Sequence, residues 1–238
     1  MKSSPVTRSA DRLQADILSG TYLPGMRLPP ERKLAAQYGV GRVSIRSALG
    51  KLTTAGLLEV RQGSGYRVRD YRRSGGPDLV ATMVNLAASE NQVAIVRDLL
   101  AVRRQFAHLV LTRLAETPPA DLTAFRSAIR IMGGLIEDDA PLSDLATADL
   151  NILHCFVGLT KSDVLQLCVN PTSTLVSQLP MLQSALYASP RINVAAWTGL
   201  SEWLEQPSAA LIPHFMRAIE ARDRATVLRL AREMQETP

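Results

Sequence analysis

The sequence predicts a mainly α-helical protein in two parts: a small N-terminal domain closed by a β-hairpin, and an all-α antiparallel helical bundle after it. Three observations lead there. Apolar residues recur at spacings of three and four along most of the chain, the period of a helix with one buried face. Strand-like alternation is confined to about residues 58–68. Between the two parts Tyr71-Arg72-Arg73-Ser74-Gly75-Gly76-Pro77 carries glycine, proline and charge without periodicity, the composition of a linker. The expected division is therefore 1–70, a linker 71–77, and 78–238.

Residues 1–8 read as a flexible lead. A helix then runs from Ala10 to Leu18, with Leu13, Ile17 and Leu18 on one stripe and Gly20 ending it, and Tyr22-Leu23-Pro24-Gly25 turns the chain. The next helix begins at Glu31, because Pro29 and Pro30 suit the positions just before and inside a first turn and an acid suits the positive end of the helix dipole. It ends at Tyr38, since Gly39 can adopt the left-handed conformation that closes a helix. A further helix over Arg42–Ala55 places Ile45, Leu49 and Leu52 on a buried stripe and turns Arg42, Ser44 and Arg46 to another face. Gly50 lies inside it at a cost of up to about 1 kcal/mol against alanine. Leu58 and Val60, then Gln62-Gly63-Ser64-Gly65, then Tyr66 and Val68 read as two strands around a glycine-rich turn. Two helices split by a Gly-containing turn, the later one with arginines near its N-terminus, followed by a hairpin, make a winged helix-turn-helix. In that arrangement the second helix enters the major groove of DNA with its N-terminal side chains toward base edges and phosphates.

Charge supports the same reading. Residues 1–75 hold 14 Lys or Arg against 5 Asp or Glu, whereas 76–238 hold 13 against 17, so the net +5 of the chain is concentrated at the helix-turn-helix end. Such a basic end releases counterions on binding DNA and predicts strongly salt-dependent affinity. No stretch reaches the roughly 18 to 20 apolar residues of a membrane span, and the N-terminus lacks a signal-peptide core, so a cytoplasmic protein without membrane contact is expected. Cys155 and Cys168 are too few for a disulfide framework or a zinc site. There is no glycine-rich phosphate loop, nucleophile elbow or metal cluster to suggest an enzyme.

From about residue 7 to 70 the chain resembles the N-terminal domain of GntR-family bacterial transcription regulators. The resemblance is carried by Gly25-Met26-Arg27-Leu28-Pro29, Glu31-Arg32-Lys33-Leu34-Ala35, Leu57-Leu58 and the wing tip Gly63-Ser64-Gly65. It implies that Arg32, Arg42, Ser44 and Arg46 meet double-stranded operator DNA, with Gln62 and Gly63 of the wing in the minor groove. Gly41 departs from the pattern, since many members carry Ser or Thr there; glycine at an N-cap costs only a few tenths of a kcal/mol by comparison.

In the second part, punctuation at Thr117-Pro118-Pro119, Asp138 to Pro141, Thr160 to Asp163, Ser189-Pro190, Gln206-Pro207 and Asp223 predicts helices near 78–88, 92–116, 119–137, 142–158, 162–188, 191–205 and 208–236, the last broken near Asp223. An all-helical domain in this place resembles the FadR branch of the family, through Leu99-Leu100-Ala101-Val102-Arg103, Asp149-Leu150-Asn151-Ile152 and Tyr187-Ala188-Ser189-Pro190-Arg191. The resemblance implies a homodimer on a palindromic operator, and a small-molecule effector, an acyl-CoA or another acidic metabolite, bound among the helices. Arg103 matches an effector-domain arginine and pairs either with a ligand anion or within the bundle. Asn151, Tyr187 and Trp197 are polar-tipped groups on apolar helices, of the kind that orient a ligand. His154 reads equally as a core polar group or a ligand contact. The metal-binding members need an acid one turn before that histidine. Here the position holds Leu150, and Asp149, five residues before His154, lies about 140° away around the helix. With Ile212 and Met234 where further histidines would stand, no metal or other cofactor is expected. Two alternatives stay open: a helical half used only for dimerisation, and a metal-dependent, carboxylate-sensing regulator.

Overall fold

A computed structural model describes residues 4–236, apart from the side chains of 89, 90, 172–175, 177 and 236. Two compact units emerge, one ending at Ala87 and one beginning at Ala88. The first contains α1 (Pro5–Leu18), α2 (Glu31–Tyr38), α3 (Arg42–Thr54), a hairpin of β1 (Leu58–Arg61) and β2 (Gly65–Val68), the single turn α4 (Tyr71–Ser74) and α5 (Leu79–Leu86). The second contains α6 (Ser89–Glu116), α7 (Thr123–Glu137), α8 (Leu142–Gly158), α9 (Asp163–Gln178), α10 (Pro180–Leu186), α11 (Pro190–Trp203) and α12 (Ile212–Glu236), the last entered through a 3-10 turn at Ala209–Leu211.

In the first unit α1 and α2 both pack on α3. Leu13, Ile17, Leu34, Ile45, Leu49, Leu52, Leu57, Leu58 and Val68 form one core with Tyr22 and Leu28. The hairpin pairs Leu58 with Val68 and Val60 with Tyr66 in antiparallel register. The segment before α2 runs beside β2, with Leu28 N–H donating to the Tyr66 carbonyl at 2.9 Å and Val68 N–H donating to the Met26 carbonyl at 2.9 Å. The wing is thereby fastened to the helices on its outer edge.

Three sequence expectations change here. The leading helix starts at Pro5, five residues early, because Ser4 caps it by accepting from Thr7 N–H and proline occupies its first turn. Of the lead 1–8, residues 1–3 lie outside the described range. The 71–77 segment is not an open linker: Asp70 caps the turn α4, and Ser74 Oγ donates to the Gly56 carbonyl at 2.7 Å. The helix near 78–88 belongs with the N-terminal unit, because α5 packs on α1, Leu79 enters the first core, and Gln14 Nε2 donates to Thr82 Oγ1 at 2.7 Å. A strongly apolar helix reads the same from sequence whichever core it fills.

In the second unit α6 pairs with α12, α7 with α8 and α11, and α8 with α9. Phe125, Phe156 and Trp197 meet with ring centroids 5.6–6.1 Å apart. The predicted helix 162–188 is two helices, because Leu179 leaves helical geometry before Pro180. The predicted break near Asp223 is absent, and α12 runs unbroken. Asp223 is buried in that helix, held by arginines of α6.

Candidate functional site

The N-terminus of α3 is built for contact with something outside the unit. Gly39 closes α2 at φ 64° and Gly41 opens α3 in extended geometry, with no side-chain cap on the first turn of α3. The N–H groups of that turn face outward with the positive end of the helix dipole, which favours a phosphate. Ile45, Ala48, Leu49 and Leu52 anchor the buried face of α3. Arg42 and Arg46 stand exposed, Ser44 is half-buried, and Arg32 is exposed on α2. Among the described residues, Arg32 and Arg42 form no ion pair. Arg46 is already engaged: its guanidinium donates to both carboxylate oxygens of Glu31, Nη2 to Oε2 at 2.8 Å and Nε to Oε1 at 3.1 Å. That hydrogen bond and charge hold the Glu31 carboxyl below the usual carboxylate range.

At the wing tip Gly63 and Gly65 adopt φ 72° and 79°, left-handed values that favour glycine, and Ser64 N–H donates to the Arg61 carbonyl at 2.9 Å. Gln62 and Gly63 are exposed there. Sequence reasoning passed over the basic residues along this edge: Arg27 and Arg69 are exposed, Arg67 is half-buried, and Arg61 is tied to Glu59 at 2.8 Å. It also passed over Val43, 81% exposed on the first turn of α3. A large apolar residue uncovered between Arg42 and Ser44 is the signal that finds it.

The effector candidates fall into separate groups. Tyr187 Oη donates to Asp149 Oδ2 at 2.9 Å and Trp197 Nε1 donates to Asp149 Oδ1 at 2.6 Å, so these two side chains converge on one carboxylate. Burial, the Asp149 charge and the hydrogen bond to it push the Tyr187 phenol well above its ordinary range. Arg103 and Arg104 both donate to Asp223, Arg104 at 2.7 Å. Arg222 reaches Asn193 Oδ1 at 2.8 Å, and its pKa is lowered by burial and by the nearby Arg103 charge. The Arg103 Nε is buried without an acceptor. His154 Nδ1 lies 3.0 Å from the Gln166 amide, joining α8 to α9, and Asn151 is exposed on α8. Thus Arg103, Tyr187 and Trp197 belong to a polar interior of the bundle, whereas Asn151 and His154 stand apart from it. Asp149, Arg222 and Asp223 complete these groups without having been singled out from sequence as site residues; charged side chains on otherwise apolar helices are the available sign. No three His, Cys, Asp or Glu side chains gather as metal ligands among the described residues.

A short helix, a glycine turn, a second helix exposing arginines at its N-terminus, and a hairpin fastened beside them make the N-terminal unit a winged helix-turn-helix domain of the DNA-binding class. Residues 6–68, most of the N-terminal unit, match the family of bacterial regulatory proteins named the gntR family. The chain is 40% identical over 109 residues to the HTH-type transcriptional regulator Mce2R of Mycobacterium tuberculosis, covering 43% of this chain and 45% of that one. It is 34% identical over 100 residues to the fatty acid metabolism regulator protein of Vibrio cholerae, covering 42% of this chain and 36% of the other. The chain spans about half the length of the curated relatives it matches. Over the whole length its fold is similar to a solved structure described as Lar, which controls the expression of the Listeria monocytogenes agr system and mediates virulence. That match has a TM-score of 0.62 at 16% identity and covers 98% of this chain and 99% of the other. No helix among the described residues is long and apolar enough to cross a membrane.

Proposed function

We propose that the chain is a transcription regulator that binds a palindromic operator as a homodimer and changes its grip on DNA when an acidic small molecule enters the helical unit. The observation that carries the DNA-binding half is the exposed, uncapped first turn of α3, with Arg42 outward beside a glycine-tipped wing. In this reading Arg42 and Arg46 reach base edges, Arg32 and Ser44 reach phosphates, and Gln62 and Gly63 enter the minor groove. Arg46 exchanges Glu31 for DNA. One recognition helix covers too few base pairs for a unique site, and two related by a two-fold axis match two half-sites.

The effector half rests on charge inside the bundle. Arg103, Arg104 and Arg222 outnumber Asp149 and Asp223, and the Arg103 Nε lacks an acceptor. A carboxylate or phosphate would balance that excess and satisfy that donor. The likeness to a regulator named for fatty acid metabolism makes a long-chain acyl-CoA the first candidate.

The test is fluorescence anisotropy of a labelled duplex from upstream of the gene, titrated with protein at two salt concentrations and then with acyl-CoA in the presence of a chelator. Tight, salt-sensitive binding released by acyl-CoA supports both halves, since the coupling must act equally on both affinities. Binding unmoved by acyl-CoA removes that ligand. Absence of salt-dependent binding to any duplex removes the regulator.

A further inference from the structure

The two faces of the wing differ in kind. The segment before α2 joins the outer edge of the hairpin, where Arg27 bridges Arg67 in antiparallel register. Successive side chains along a strand point to opposite faces. Leu28, Leu58 and Val68 take the inner face and are buried, with Tyr66 packed against the same core. Arg27, Glu59, Arg61 and Arg67 alternate with them and take the outer face. The acid among these is already engaged, since Arg61 Nε donates to Glu59 Oε1 at 2.8 Å. Arg27 and Arg67, neighbours across the ladder, form no ion pair among the described residues. The Arg27 guanidinium leans along the sheet toward its tip, because a Cβ placed on Gly65 would lie 4.0 Å from its Nε and Nη2. Like charges on adjacent strands oppose pairing, so this placement weakens the wing unless an anion lies against the two guanidiniums.

We propose that Arg27 and Arg67 form a phosphate-binding edge on the outer face of the wing, which takes the sugar-phosphate backbone of the DNA strand flanking it. This rests on the DNA-binding reading above and adds a contact surface separate from α3 and from Gln62 and Gly63. DNA is the source of phosphate that the position favours. The Arg27 guanidinium sits beside Gly65, at the base of the turn that holds Gly63, and a minor groove about 6 Å wide is walled on both sides by phosphates. The planar fork of arginine matches phosphate oxygens in pairs. A phosphate carries no base identity, so this edge sets affinity and the seating of the wing, not the sequence that is read.

Fluorescence anisotropy on the full chain, with the upstream duplex and an unrelated duplex of equal length, gives the slope of log affinity against log salt. Each phosphate contact contributes about 0.9 to that slope. Arg27→Gln and Arg67→Gln should each flatten it by about 1 per bound chain and the double change by about 2, weakening both duplexes by the same factor. Arg27→Lys and Arg67→Lys keep the charge and should keep the wild-type slope, a rescue that a merely structural role would not give. Arg72→Gln removes an equal charge from α4, which Ser74 fastens beside the C-terminal end of α3, about 20 Å along that helix from its first turn. It should leave the slope unmoved. Wild-type slopes in Arg27→Gln and Arg67→Gln, an equal loss in Arg72→Gln, or a loss confined to the upstream duplex overturns the proposal. Absence of wild-type binding to either duplex removes the regulator reading with it, whereas unmoved slopes beside intact wild-type binding remove the phosphate edge alone.

Discussion

The two units place their arginines in opposite environments. On α2 and α3, Arg32, Arg42 and Arg46 face solvent, and the one ion pair there, Arg46 with Glu31, leaves the arginine side chain 72% exposed. In the bundle, Arg103 and Arg104 close on an Asp223 carboxylate that is only 3% exposed. A guanidinium in water contributes little to folding and is available to a phosphate, because its partner there competes with high dielectric and salt. A guanidinium paired inside the bundle is committed to structure unless a ligand anion takes the place of its carboxylate. The first arrangement suits contact with a polymer that comes and goes; the second suits a receptor whose interior is rearranged by what it binds.

The contrast can be broken from its buried side first. Asp223→Ala strands Arg103 and Arg104 and should lower the stability of the helical unit by about 3 kcal/mol, the lower end for a broken buried pair because both arginines keep partial exposure. Urea denaturation followed by circular dichroism measures it. Asp149→Ala removes the acceptor shared by Tyr187 and Trp197 and should cost about 2 kcal/mol in the same measurement. On the exposed side, Arg42→Ala should leave the denaturation midpoint unmoved, yet weaken operator binding by about 1–3 kcal/mol in anisotropy titrations. If Arg42 instead reduces stability, its exposure is not what matters. Glu31 gives a pH test. Its folded pKa is depressed, so the stabilisation it supplies is present above the ordinary carboxylate value near 4.5 and is lost as pH falls through the lower folded value. Glu31→Gln should abolish that part of the acid profile, and NMR titration of the wild-type side chain should place its pKa below 4.5. Smallest of all, Gly41→Ser should add a few tenths of a kcal/mol by capping α3, since nothing stands within 4 Å of a Cβ there.

How much was legible followed from how local each signal was. The bounds of α2, the start of α3 and the two strands sit where Pro30, Gly39, Gly41 and the Gln62–Gly65 turn put them, because caps and turns act within a few residues. The placement of α5 was not legible, since Leu79, Ala81 and Val84 are equally suited to either core. Pro171 and Pro180 make the same point within one segment: the first lies inside α9, the second begins α10, and only packing separates the outcomes. The exposure of Arg42 and Arg46 was readable because the apolar stripe of Ile45, Leu49 and Leu52 fixes which face of α3 must be buried. The role of Asp149 is not legible locally: its angle from His154 argues against a shared metal but says nothing of Tyr187 and Trp197, which lie 38 and 48 residues further along the chain. Asp223 reads as a helix break from sequence because an acid in an apolar stripe has no visible partner until α6 is folded against it.

Gly56 is buried at φ +75°, and a Cβ there would meet the Ser74 carbonyl oxygen at 1.9 Å and its carbon at 2.8 Å, backbone that cannot swing aside. In a library of random variants scored for survival, position 56 would be as blank as any catalytic residue of an enzyme, although what it meets is the backbone of Ser74. A map of intolerant positions, read without the backbone, would mark it as a binding site.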